Sequence, residues 1–242
     1  MDNRENSAID FLVFSTFSFS LWSLQNKEAD EILDCIIKRA YRDAASHIKS
    51  ENTNRKTIGS SIISEEISKL KTGNPEDYNG WHDNLSSSLR NILQCNCGFA
   101  QKWVNMTMKY ITLVCDLWEY IGNSNESKFV NEYRNMVNQY RADFHAPVDR
   151  YIINAAWKTS KDIYLPLEDG VSQEKRVKMD YKNPADYVKP WSQWSPEEYK
   201  CFYNSVRKHI NMEKGALEWE GPAWIKYAEG RNAAEKTDES TP

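Results

Sequence analysis

Two stretches decide the fold, NCGFAQKWVNMTMKYITLV (Asn96–Val114) and FHAPVDRYII (Phe144–Ile153). Apolar side chains recur at three- and four-residue intervals in and just after the first stretch, as on one face of an α-helix: Trp103, Met106, Tyr110, Val114, Leu117 and Ile121. In the second stretch, Ala146-Pro147 favours the start of another helix, because proline fits a first turn. Both stretches therefore predict helices.

The composition favours bulky helical packing. The chain has 242 residues, of which 40% are hydrophobic and 12% aromatic, enough for one large domain or two small lobes. Nine Trp and thirteen Tyr against nine Gly and eight Pro are untypical of a Gly-rich sandwich or a nucleotide-cradling α/β fold. We expect an all-α protein.

Helical periodicity and capping residues predict the other elements. Asn26 is the expected N-cap of a helix reaching Ser50, and the polar residues 51–61 are expected to interrupt the helices. Residues 161–190 are expected to form a long loop, and Ser195 to cap a later helix. The predicted helices after residue 60 span residues 64–72, 81–94, 99–121, 128–141, 148–160, 195–212 and 217–230.

We expect one domain over residues 1–228, made of two packed helical lobes with a helix-hairpin-helix element, about residues 81–121, between them. Residues 229–242 are predicted to be a disordered tail. The apolar run Phe11–Leu24 is too short and too rich in serine for a membrane span, so we expect a buried amphipathic segment and no membrane partner.

Charge and cysteine content narrow the class of protein. A formal net charge of −4 argues against coating nucleic acid by bulk electrostatics but leaves room for a local basic groove. Five cysteines are an odd number with irregular spacing, and nothing resembles a secretion signal. Reduced thiols in the cytoplasm are the simplest interpretation.

The helix predicted from Phe99 also carries a polar stripe, formed by Lys102, Asn105, Lys109 and Asp116. Lys102 is expected in its first turn, where backbone N–H groups already concentrate positive character. A lysine is unfavourable there unless an anion approaches, which predicts an anionic ligand.

The pattern Gly98-Phe99-Ala100-Gln101-Lys102, followed by Pro147-Val148-Asp149, resembles the helix-hairpin-helix DNA glycosylases. Their signature is Gly-x-Gly-x-Lys at the hairpin and Pro-Val-Asp at a later helix start. The resemblance covers about a quarter of the chain. Ala100 replaces the second glycine, and the long separation of the motifs implies an inserted helix, Lys128–Arg141. The archaeal-type 8-oxoguanine glycosylases, which also relax the glycines, are the nearest comparison.

The resemblance implies a catalytic pair. Lys102 would attack C1′ of a flipped nucleotide, and Asp149 would stabilise the cationic sugar of the transition state and assist proton transfer. It also implies DNA contacts by the hairpin amides and by basic side chains, at Gly98, Ala100, Gln101, Lys109 and Arg150. His145, Trp191 and Trp194 are the candidates for the base pocket.

The implied partner is double-stranded DNA with a damaged or modified base, in repair or in defence against phage. The expected protein is a monomer that requires no metal and no organic cofactor. Cys95 and Cys97 are expected to be free thiols, because no second Cys or His pair follows to complete a zinc site.

Two other functions stay open. Arg42 and His47 resemble the Arg-x4-His element of the HEPN ribonucleases, which are all-helical and metal-independent. In such a site His47 would transfer a proton and Arg42 would hold the scissile phosphate. A non-enzymatic helical module that binds a protein partner through exposed tryptophans is the other alternative, and the acidic balance favours it.

Overall fold

The computed structural model describes residues 3–45, 53–73, 77–122, 126–168, 187–210 and 215–238, without the side chains of 3–6, 53 and 230–238. These ranges contain two 3-10 turns, Arg141–Asp143 and Trp191–Gln193, and one isolated antiparallel bridge, between Leu167 and Val188. The predicted all-α class is confirmed. The α-helices in the described ranges are α1 (Asn3–Phe17), α2 (Leu21–Asn26), α3 (Ala29–Ala44), α4 (Thr53–Lys71), α5 (Tyr78–Leu93), α6 (Cys97–Ile121), α7 (Lys128–Tyr140), α8 (Arg150–Thr159), α9 (Pro196–His209) and α10 (Ala216–Asp238).

The chain divides into two compact units. The first contains Met1–Cys95 and Phe99–Phe144, and the second contains Asn96–Gly98 and His145–Pro242. The first unit contains α1–α5, α7 and all of α6 except its first two residues. The second unit holds α8, α9 and α10, so the two predicted catalytic residues lie in different units.

Trp103 of α6 organises the core of the first unit. Its side chain is fully buried, and its indole Nε1 donates a hydrogen bond to the Ile37 carbonyl of α3 at 3.0 Å. The ring meets Tyr41 edge-on at a centroid distance of 4.8 Å. A Cβ built on Gly59 of α4 would lie 2.3 Å from the same indole, so only glycine permits this approach. One tryptophan therefore joins α3, α4 and α6.

Two predicted helix boundaries are wrong in this unit. Residues 53–61 lie within α4 instead of interrupting the helices, because Gly59 is there to admit Trp103 and not to end a helix. Asn26 ends α2, and its side-chain amide donates to the Trp22 carbonyl at 2.8 Å. The helix α3 starts three residues later, with Glu28 as an N-cap that makes no side-chain capping bond.

The opening segment is only partly buried, contrary to the prediction. Four of its nine large apolar side chains lie in the core: Val13, Phe17, Phe19 and Leu24. Leu21 is half-buried, and the other four are 58–70% exposed: Phe11, Leu12, Phe14 and Trp22. None of the described helices is both long enough and apolar enough to cross a membrane.

In the second unit, aromatic residues of α9 pack with α8 and with the 3-10 turn at Trp191. The helix α9 begins at a capping box, in which Ser195 and Glu198 bond reciprocally, so the predicted cap is confirmed. The predicted disordered tail is wrong up to Asp238, where α10 ends. The described parts of the predicted loop, residues 161–168 and 187–190, contain no α-helix, whereas residues 169–186 lie outside the described ranges.

Replacing Gly59 with alanine should destabilise the first unit, because the new methyl group would overlap the Trp103 indole. We expect the free energy of unfolding to fall by about 1–3 kcal/mol, the usual cost of overpacking. Urea denaturation measures the change. Ser61→Ala, at an exposed position of the same helix, should stay within about 0.5 kcal/mol of wild type. Equal effects of the two substitutions would contradict the packing role of Gly59.

Glu198 should make stability depend on pH. Burial alone would raise the pKa of its carboxyl, but hydrogen bonds from Lys189 Nζ at 2.7 Å and the Ser195 N–H at 2.9 Å outweigh it and hold the pKa below 4.5. Because the folded-state pKa is the lower one, the ionised group stabilises the fold above the unfolded-state pKa. That contribution is lost as the pH falls through the folded-state value.

We expect wild type to exceed Glu198→Gln in free energy of unfolding by about 1 kcal/mol at pH 7, since glutamine keeps the cap but not the charge. The difference should shrink as the pH falls below 4.5. Denaturation at several pH values measures it. In a Lys189→Met background the difference should nearly disappear, and a full difference there would assign the effect to another partner.

Candidate active site

The predicted helix-hairpin-helix element is present as two helices joined by a short turn. Gln94 caps α5 in the left-handed conformation, with φ of 49°, and its N–H bonds to the Arg90 carbonyl. After residues 94–96 the helix α6 begins at Cys97, two residues before the predicted start. This shift decides where the motif residues lie.

Gly98 lies inside the first turn of α6 and not in the hairpin turn. A Cβ at this position would be 2.1 Å from the Trp191 carbonyl oxygen, so the glycine is required by a close backbone approach. Ala100 and Gln101 are also buried, at 0% and 3% exposure. Contrary to the prediction, these three residues do not present an open turn to a DNA phosphate.

Lys102 lies in the second turn of α6, not the first, and only 7% of the residue is exposed. Every residue from Cys97 to Met108 is buried. Lysine is among the residues least often buried, because removing an ammonium group from water is costly unless it is paired. A lysine at this position therefore has to be paired within the protein.

Other polar groups are buried close to Lys102 along α6. Asn105 is fully buried, and its side-chain oxygen lies 2.8 Å from Nε2 of His82 on α5, which is also fully buried. The Gln101 side-chain oxygen is buried and forms no hydrogen bond with any described residue. We name Gln101, Lys102, Asn105 and His82 the α6 polar cluster.

Asp149 is the N-cap of α8. Its Oδ1 accepts a hydrogen bond from the Ile152 N–H at 3.0 Å, and its Oδ2 accepts one from the Trp224 indole at 3.1 Å. The predicted position at a helix start is confirmed. Both carboxylate oxygens are held in place, one by the backbone of α8 and the other by α10.

The base-pocket candidates are core residues. Trp191 and Trp194 are 9% and 2% exposed, and the Trp194 indole donates to the Lys189 carbonyl at 2.8 Å. The core of the second unit covers both rings, and their role in a base pocket stays a prediction. His145 is also buried, with Nδ1 3.1 Å from the Tyr199 hydroxyl and its ring stacked on Tyr203.

The predicted basic contacts are on accessible positions. Lys109 is partly exposed on α6, and Arg150 is exposed in the first turn of α8. Lys158, near the end of α8, is exposed with its Nζ 4.7 Å from the centroid of Tyr227. Their contact with DNA stays a prediction.

The structure describes one of the two residues of the ribonuclease alternative. Arg42 is exposed in the last turn of α3, whereas His47 lies outside the described residues. All five cysteines, including Cys95 and Cys97, are free. No group of three His, Cys, Asp or Glu side chains within the described ranges is arranged to hold a metal ion.

Sequence reasoning missed His82 and Trp224. His82 did carry a signal, since it lies on the helical spacing of Ser86, Leu89 and Leu93, which are all buried. Trp224 carried none, because the tryptophan that contacts Asp149 comes 75 residues later in the chain.

Comparisons with protein-family models, curated proteins and solved structures found no match to this chain.

Asp149→Asn should leave stability close to wild type, because an asparagine oxygen can still accept the Ile152 N–H. Asp149→Ala removes the acceptor and should lower the free energy of unfolding by about 1 kcal/mol. Thermal and urea unfolding of both variants measure this. Should asparagine cost as much as alanine, the charge of Asp149 and not its cap would be supporting the fold.

Proposed function

We propose that the protein is a DNA glycosylase that excises a damaged or modified base from double-stranded DNA, with lyase activity through Lys102. The observation that supports this proposal most strongly is the burial of Lys102 within the α6 polar cluster. Only 7% of Lys102 is exposed, and a nucleophilic amine benefits from removal from water. Groups in such environments concentrate at functional sites.

The chemistry uses a neutral amine. The lone pair of Lys102 Nζ forms a bond to C1′ while the N-glycosidic bond breaks, and the base leaves with the bonding electrons and takes up a proton. The amine loses a proton, and the bond between C1′ and the ring oxygen then breaks. The oxygen keeps the bonding electrons and takes up a proton, and a protonated Schiff base remains at C1′. Loss of a proton from C2′ then expels the 3′ phosphate and nicks the strand.

Asp149 is suited to the electrostatic part of the reaction. Its two hydrogen bonds fix the carboxylate at the N-terminus of α8. A fixed anion stabilises the positive charge that develops on the sugar as the base departs, with no reorganisation at that moment.

DNA binding is compatible with the acidic chain if the basic residues act locally. The formal net charge of −4 disfavours non-specific coating of DNA. Lys109 and Arg150 are accessible and were assigned to DNA from the sequence. Within this proposal they position the duplex, and the choice of base rests with residues that line the pocket.

Base release and strand nicking should be measured on labelled duplexes that carry oxidised purines, uracil, alkylated bases, and hydroxymethylated or glucosylated cytosine. Borohydride should trap a covalent complex with the excised substrate, and Lys102→Gln should abolish both trapping and nicking. Asp149→Asn should reduce base release at least a hundredfold without unfolding the protein. The matched control is Lys38→Gln, at an exposed lysine of α3 paired with Asp34, which should react like wild type.

Trapping that persists in Lys102→Gln would contradict the assignment of the nucleophile. Absence of base release and nicking on every duplex of the panel would contradict the glycosylase proposal and favour the interaction module. The specific support for that second candidate is the exposure of Phe11, Phe14 and Trp22 near the start of the chain. RNA cleavage that is lost in His47→Ala would instead favour the ribonuclease.

A further inference from the structure

A cleft lies between α8 and α10 within the second unit. Its volume is about 610 Å³, in the range of small-molecule sites. Small side chains on both helices leave this space open, Ala155 on α8 and Ala223 on α10. The lining residues are Ala155, Lys158, Thr159, Trp219, Pro222, Ala223, Lys226 and Tyr227.

The lining combines aromatic surface with positive charge. Trp219 and Tyr227 supply aromatic rings, and Lys158 and Lys226 supply two ammonium groups. Lys158 Nζ already lies 4.7 Å from the centroid of Tyr227, so a charge is placed directly beside an aromatic face. Among the described residues that line the cleft there is no carboxylate. The cleft therefore suits a ligand that is planar and apolar at one end and anionic at the other.

We propose that this cleft binds one nucleotide of a DNA strand. The base stacks on the wall formed by Trp219 and Tyr227, and the phosphate lies between Lys158 and Lys226. Stacking on aromatic side chains accepts any base, and lysines bind phosphate as point charges. The site is separate from the nucleotide on which the proposed excision acts.

The position of the cleft along α8 supports that separation. Lys158 follows Asp149 by nine residues in the sequence, which corresponds to about 13 Å along a helix. At about 3.4 Å per nucleotide of a duplex strand, this is a distance of roughly four nucleotides. Trp224, whose indole bonds to Asp149, lies on α10 between the cleft residues Ala223 and Lys226. Asp149 and the cleft thus share one pair of helices.

Binding of deoxyadenosine monophosphate to the full chain, measured by calorimetry, tests the proposal without any need for excision. The double variant Lys158→Gln/Lys226→Gln should weaken binding at least tenfold, and Ala223→Phe, which fills the cleft, should abolish it. Lys200→Gln, at an exposed lysine of α9, is the matched control and should bind like wild type. Circular dichroism verifies that each variant is folded.

Inorganic phosphate and deoxyadenosine are the companion probes, and each should bind at least tenfold more weakly than the nucleotide. Phosphate that binds as well as the nucleotide would overturn the stacking role, and a double variant with wild-type affinity would overturn the phosphate role. Absence of binding at millimolar nucleotide would overturn the site. Because the calorimetry requires no excision, failure of this site and failure of the glycosylase are distinguishable.

Discussion

The burial of α6 is the constraint on which the first unit depends. A helix buried over successive turns must satisfy its polar side chains within the protein, because water does not reach them. Thr107 and Thr112 do so by donating to the carbonyls of Trp103 and Met108, each at 2.9 Å. Asn105 does so through His82. Lys102 is buried in the same stretch at 7% exposure, and its ammonium group must likewise be paired within the protein.

The elements that sequence reasoning predicted correctly are those that local physics determines. The apolar spacing of α6 and the capping box at Ser195 act within a few residues, so pattern and structure agree. The errors at Gly59 and Gly98 have one common cause. Gly59 belongs to the stretch 51–61 that was expected to interrupt the helices, and Gly98 was expected in the hairpin turn. Each lies inside a helix where another segment approaches too closely for a Cβ atom. Such an approach is a tertiary contact that the local sequence does not encode.

In the candidate site, too, local features could be predicted from the sequence and contacts between distant residues could not. Asp149 could be placed from the sequence, because residue type and position at a helix start are local signals, whereas Lys102 was expected in a first turn and lies in the second. The contacts that give them their environment could not, since His82 lies 23 residues from Asn105 and Trp224 lies 75 residues from Asp149. The burial of the base-pocket tryptophans could not be predicted for a related reason. Aromatic residues beside a helix start suit a core as well as a binding surface, and at Trp194 the core prevails.

The way Asp149 is held bears on what it can do. Its two hydrogen bonds come from neutral donors, the Ile152 N–H and the Trp224 indole N–H. A lysine or arginine in either place would fix the carboxylate equally well, but it would also compensate the negative charge. Neutral donors orient the group and leave its charge available to stabilise a cation. An ordinary N-cap needs only the first bond, so the second, which comes from a separate helix, is the part of the arrangement that capping does not explain.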